Sequence, residues 1–195
     1  MNYISDLPHI HIFPDIFWRY QVDSEKCQFP ITRQRLFQHD ILWNDRCRYM
    51  NFRTITSSDK LWCKVRNYAE SCSWRAGKAL ASAMDHNGFS DWERVIVAID
   101  NEKICGYCTV SKTDCIPDVD YTPYIGFVFV GEEYRGNRLS QQLIEYAIDY
   151  IKNIGYNKVY IVSDHENLYE KYGFRVVDRK IAPWGSEEKI YIREL

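Results

Sequence analysis

Residues 124–155 most narrow the folds open to this chain. "YIGFVFV" is apolar on consecutive residues, the pattern of a strand covered on both faces. After "GEEYRGNR", the residues Leu139, Leu143, Tyr146, Ala147, Tyr150, Ile151 and Ile154 recur three and four apart. That spacing predicts one amphipathic helix over 138–153, with Gly155 as its C-terminal stop. "KVYIV" then predicts another strand, and a crossover through the helix makes the strands at 124–130 and 158–162 parallel or nearly so.

The rest of the chain after Met50 supplies more strands and two short helices. "YMNFRTI" reads as a strand, Ser57 or Ser58 as the cap of a helix in "DKLWCKVRNYAE", and "WRAGKALASAM" as a second helix ending before Asn87-Gly88. "RVIVAID" and "ICGYCTV" flank the polar turn "DNEK" as a hairpin. Ser163 and Glu166 in "SDHE" have capping-box spacing, which predicts a short helix over "HENLYEKY" closed by Gly173. "FRVV" and "KIYIREL" are the last strands. The fold class expected is α/β: a mixed, mostly antiparallel central sheet flanked by helices and holding one parallel strand pair. Pro8, Pro14 and Pro30 interrupt the first fifty residues, so 1–49 is read as an N-terminal extension and 50–195 as the main domain.

Charge and composition exclude several function classes. Lys plus Arg (25) nearly balances Asp plus Glu (27), so no global field points to nucleic acid or an anionic membrane. The stretch from Ile31 to Arg53 carries five arginines against two aspartates and reads as a solvated helix face. "MNYISDLPHIHIF" has neither the basic start nor the apolar run of a signal peptide, which leads to the expectation of a cytoplasmic, soluble protein. Seven cysteines without a secretory signal read as reduced thiols, and Cys105 and Cys108 as buried strand residues rather than zinc ligands. His9 and His11 could share a strand face, but nothing nearby completes a metal site, so no metal is expected.

The junction between the apolar strand and the helix is the chemically informative place. A strand that turns at Gly136 into a helix leaves N–H groups unpaired at the positive end of the helix dipole, and Arg135 and Arg138 add permanent charge. Such a site binds anions and suits a pyrophosphate.

"GFVFVGEEYRGNRLSQQLIEYA", followed after one strand by "NLYEKYGF", resembles the GNAT acetyltransferase superfamily, whose acyl-CoA loop reads R/Q-x-x-G-x-G/A. The resemblance covers roughly Phe52 to Leu195. It implies a splayed parallel strand pair, acetyl-CoA as cosubstrate, pantetheine contacts from the backbone of Phe129 and Val130, and pyrophosphate contacts from Arg135, Gly136, Asn137, Arg138, Leu139 and Ser140. Arg138 and Ser140 depart from the motif's later small residues, which leaves Gly136 as its flexible position.

Tyr169 matches the family's general acid, the group that protonates the departing CoA thiolate; Tyr172 is a packing alternative. No carboxylate lies in "YTPYIGFVFV" to act as base, which leaves Asp118, Asp120 and His165 open, and Asn167 matches no family residue clearly. The resemblance implies an N-acetyltransferase acting on a primary amine of a small molecule or peptide by direct attack. A non-catalytic acyl-CoA-binding or regulatory module is the alternative, and an RNA- or protein-interaction module built on the N-terminal region a third. The identity of the amine and the oligomeric state, a homodimer included, are left open.

Overall fold

The computed structural model describes residues 50–86 and 88–195. The N-terminal extension, with His9, His11 and most of the arginine-rich stretch, lies outside the described residues.

Among the described residues seven strands form one sheet: β1 (Asn51–Ile55), β2 (Arg94–Asp100), β3 (Lys103–Ser111), β4 (Tyr124–Val130), β5 (Lys158–Ser163), β6 (Arg175–Ile181) and β7 (Glu187–Glu194), in the spatial order β1-β2-β3-β4-β5-β7-β6. Every pairing is antiparallel except β4 with β5, which is parallel as expected. β4 is the central strand, which accounts for its unbroken apolar sequence.

Among the described residues three α-helices cover the sheet: α1 (Trp62–Ser71), α2 (Gly77–Asp85) and α3 (Leu139–Asn153). Leu143, Ile144, Ala147, Ile148 and Ile151 of α3 pack on one face against Ile96, Cys108, Val110, Ile125, Val159 and Ile161. Each fully buried Leu or Ile contributes about 2 kcal/mol. The other face is covered by Trp62, Val65, Ala69, Leu80 and Met84 of α1 and α2, over Ile55, Val95, Val97 and Tyr107. A third cluster on that same side, Tyr124, Tyr160, Ile190 and Ile192, is roofed by Ile116 from the β3–β4 connection and by Ala182.

Two helix starts differ from the sequence expectation. Neither Ser57 nor Ser58 caps α1. Thr56 Oγ1 and Ser58 Oγ bond each other at 3.0 Å, Asp59 Oδ1 accepts from Leu61 N at 2.8 Å, and two tight turns delay the helix to Trp62. Nor does the Ser163–Glu166 capping box form. Glu166 accepts an ion pair from Lys189 Nζ at 2.8 Å instead of reaching back, and the helix shrinks to a 3₁₀ turn at Tyr169–Tyr172, closed by Gly173 at φ 84°. Cys105 and Cys108 are buried on β3 with their thiols pushed up by burial.

Candidate active site

β4 and β5 meet at one point and then part. Tyr124 pairs with Tyr160, and Tyr160 N donates to Pro123 O at 2.9 Å; no further register pair joins the strands. Beyond it β4 bulges: two residues, Phe127 and Val128, stand opposite Cys108 of β3, and Phe127 adopts φ 48°. A bulge bends its strand and increases the local twist, which turns the end of β4 away from β5. The edge of β4 through Phe129 and Val130 therefore faces a gap rather than a second partner strand, and Val130 O on it accepts from Arg135 Nε.

The gap opens beside the N-terminus of α3. A 3₁₀ turn, Glu132–Tyr134, leads into Arg135, Gly136 at φ 80° and Arg138 at φ 56°. Both positive angles lie in the left-handed region, so Gly136 is not the loop's only special backbone position: Arg138 holds the conformation that the family motif assigns to a glycine, at a strain of about 1–2 kcal/mol. No side chain caps α3 and its first turn carries no acidic residue, so its leading N–H groups keep the full positive end of the dipole. A Cβ built on Gly136 would meet nothing within 4 Å, so the approach to this turn is open.

The side chains around the turn have defined posts. Arg135 Nε donates to Val130 O at 3.1 Å, its Nη2 lies 3.2 Å from Glu132, and its guanidinium stands 5.9 Å from the centre of the Phe129 ring, so it ties the turn to the end of β4. Asn137 Nδ2 donates to the carbonyls of Tyr134 and Arg135, while Asn137 O accepts from Gln142 Nε2 at 3.3 Å. The Leu139 side chain is buried in the core, which leaves only its backbone N–H facing the turn. Ser140 Oγ lies 3.1 Å from Tyr172 Oη and thereby links the first turn of α3 to the 3₁₀ turn after β5.

Tyr169 opens the 3₁₀ turn that follows β5. It is 7% exposed, with its ring edge-on to Tyr172 and Phe174 and tilted against Tyr191. Burial pushes its phenol up to about 12, while a hydrogen bond with Ser163 at the end of β5 pulls the other way. The group is a protonated phenol at any physiological pH. The carboxylate and imidazole candidates are less well situated: Asp118 and Asp120 are exposed, and His165 is an exposed ring bonded to Ser163 and lying 3.2 Å from Asp164.

Two groups that sequence reasoning missed border β4 on the face opposite α3. Trp74, from the α1–α2 connection, stacks on Phe129 with centroids 6.2 Å apart and meets Phe127 edge-on at 6.3 Å, forming an aromatic wall over the bulge. On the adjoining stretch, Asp114 folds back from the β3–β4 connection, with Oδ2 lying 2.8 Å from where a Gly126 Cβ would stand. Burial and the nearby Glu188 carboxylate raise the Asp114 carboxyl above its ordinary value. Spacing in "KTDCIPDVD" does not single Asp114 out from Asp118 and Asp120; its meeting with Gly126 is set by the sheet.

The sequence model of the acetyltransferase (GNAT) family matches residues 61–174. No curated protein matches the sequence. Solved structures with the same fold include a GNAT family acetyltransferase from Elizabethkingia anophelis with acetyl-CoA bound, 18% identical, covering 75% of this chain and 98% of that one, with a TM-score of 0.54. An aminoglycoside 6'-N-acetyltransferase complexed with coenzyme A is 15% identical, with 74% and 96% covered and a TM-score of 0.57. A spermidine N-acetyltransferase chimera from Vibrio cholerae is 14% identical, with 74% and 95% covered and a TM-score of 0.54. With its family match spanning more than half its length and a seven-stranded sheet that parts between β4 and β5, the chain belongs to the GNAT acetyltransferase family.

Proposed function

We propose that the chain is an acetyl-CoA-dependent N-acetyltransferase acting on a primary amine. The observation that carries this is the gap between β4 and β5, which ends against an uncapped helix N-terminus with Gly136 open beside it. Those features fit acyl-CoA chemically. The α3 N–H groups with Gly136, Asn137, Arg138, Leu139 and Ser140 would take the pyrophosphate, with Arg135 holding the turn against β4, and the backbone of Phe129 and Val130 along the gap would take the amides of the pantetheine arm.

Bound acetyl-CoA supplies an activated acyl carbon. The chain's part is to position that carbon, exclude water with the aromatic wall and hold a proton on Tyr169 Oη, ready for the departing sulfur. Trp74 and Phe127 offer ring faces suited to a cationic acceptor. Two structural neighbours named for aminoglycosides and spermidine, both multiply aminated, support an amine acceptor.

The test is thermal unfolding with and without acetyl-CoA, followed by acetyl transfer to spermidine, kanamycin and a lysine peptide. At roughly a hundred times its dissociation constant, the ligand adds about 2.7 kcal/mol of stability. A nucleotide without the pantetheine arm is expected to add less. Binding without transfer to any amine would favour a non-catalytic acyl-CoA module, and no stabilisation would remove the cosubstrate itself.

A further inference from the structure

We infer that Asp114, set against Gly126 and Thr109 on the face of β4 opposite α3, is the carboxylate that receives the acceptor's ammonium group and takes its proton. This rests on the N-acetyltransferase reading and adds the base and the substrate class: a strongly basic amine, protonated when it arrives.

The geometry comes from three strands. Gly126 of β4 pairs with Thr109 of β3, and a Cβ on Gly126 would stand 2.8 Å from Asp114 Oδ2 and 3.3 Å from Thr109 Oγ1. Only a glycine there lets the carboxylate lie against the strand. Gly126 is also the last residue before the bulge, two residues past the Tyr124–Tyr160 contact where β4 and β5 part, so Asp114 stands at the apex of the gap.

Two buried polar atoms in the same place have no partner. Thr109 Oγ1 and Tyr124 Oη belong to residues 1% exposed, and neither makes a hydrogen bond. A buried hydroxyl left unpaired costs about 1–3 kcal/mol, a cost that an arriving N–H or N–H⁺ group removes. Asp114 is anchored by Cys115, through Cys115 N donating to Oδ1 at 2.6 Å and through the Cys115 thiol, and it keeps part of its surface open to solvent.

The charges around Asp114 are of one sign. Glu188 faces it from β7, 7% exposed and held by Ser186 Oγ at 3.0 Å and Trp184 Nε1 at 3.3 Å. The remaining titratable neighbours are the Cys115 thiol beside it, the Tyr124 phenol from β4 and, more distantly, the Tyr169 phenol. Among the described residues no cation pairs with Asp114 or Glu188. Two half-buried or buried carboxylates without a counter-ion leave a place for the substrate's own charge, and Asp114's raised value brings it closer to the basicity a proton acceptor needs near neutral pH.

The proton and electron pairs balance. The ammonium N–H bond breaks, and its proton passes to Asp114 and from there to solvent. The nitrogen pair released forms the C–N bond to the acetyl carbon. The C–S bond breaks with its pair on sulfur, which takes the Tyr169 proton, and the second nitrogen proton restores the phenol. One proton leaves per amide formed.

The experiment uses the full chain and compares wild type with Asp114→Asn, and with Asp118→Asn and Asp120→Asn, whose side chains are exposed, as controls. Each is assayed for transfer to spermidine, or to kanamycin if that is the faster acceptor, and to acethydrazide, whose nitrogen is already neutral at pH 7. Asp114→Asn should lower kcat for the basic amine by about 10²–10⁴-fold and erase the acid limb of its pH profile. Loss with acethydrazide should stay under about tenfold, and the stabilisation by acetyl-CoA should be unchanged, which also reports that the variant folds.

A readout independent of turnover follows from the buried charge. The folded Asp114 carboxyl holds its proton more tightly than the unfolded one, so its contribution to stability is present in acid and lost as pH rises through the folded value. Asp114→Asn should therefore melt higher than wild type at pH 7.5, with the difference closing in acid. Gly126→Ala, which displaces Asp114 without removing it, should lose part of the same rate. Equal losses with both nucleophiles, or an Asp114→Asn rate within threefold of wild type, would overturn the assignment. A wild type that binds acetyl-CoA but acetylates neither amine would overturn it together with the catalytic reading, and absence of acetyl-CoA binding would sink the parent reading outright.

Discussion

At the scale of single residues, Arg138 is where chemistry and backbone preference conflict. Its φ of 56° suits glycine, yet an arginine there puts a permanent charge at the open end of α3. Arg138→Gly should relieve the left-handed strain and raise the unfolding free energy by about 0.5–1 kcal/mol, after allowing for glycine's greater freedom in the unfolded chain. The same variant should bind acetyl-CoA several-fold more weakly, with a shallower dependence on salt. Urea unfolding and calorimetric titration check the two effects separately. Tyr169 offers the converse test. Its ring is held by Tyr172, Phe174 and Tyr191, so Tyr169→Phe keeps the packing and removes only the hydroxyl. The expected result is a fall in kcat of about a hundredfold with acetyl-CoA affinity unchanged. Because the phenol titrates near 12, wild-type activity should show no alkaline limb from this group below about pH 11.

At the scale of elements, the site depends on how β3, β4 and β5 are spaced. A Cβ on Gly106 of β3 would stand 2.5 Å from the Phe129 carbonyl, so β4 lies against β3 only because Gly106 has no side chain. Gly106→Ala should cost about 2 kcal/mol in unfolding free energy by forcing backbone apart, and should weaken acetyl-CoA binding because Phe129 and Val130 move with β4. Equilibrium unfolding and a thermal-shift titration measure both. The long crossover helix was legible because its apolar spacing sustains four turns. The 3₁₀ turn at Tyr169–Tyr172 was not: Ser163 and Glu166 have capping-box spacing, but the Lys189 ammonium on β7, far along the chain, takes the Glu166 carboxylate away. Ser58 misled for a related reason, since its hydroxyl pairs locally with Thr56.

At the scale of the whole molecule, the family match at residues 61–174 falls within residues 50–195. A chain beginning at Met50 is therefore expected to bind acetyl-CoA with an affinity within about threefold of the full chain's. A cooperative melt and a titration check this, and a large loss would assign residues 1–49 a part in the cosubstrate site.

The sequence by itself determined the order of strands and helices, the central position of β4 and the glycine turn before α3, because each rests on periodicity or turn chemistry within about thirty residues. Only the tertiary structure decided which aspartate of "KTDCIPDVD" faces β4, that Gly126 and Thr109 make room for it, and that Glu188 from the last strand stands beside it. Those are meetings between residues distant along the chain, set by sheet order and by the bulge at Phe127–Val128. Spacing along a sequence carries no record of which carboxylate loses its water, since desolvation is fixed by neighbours from other strands.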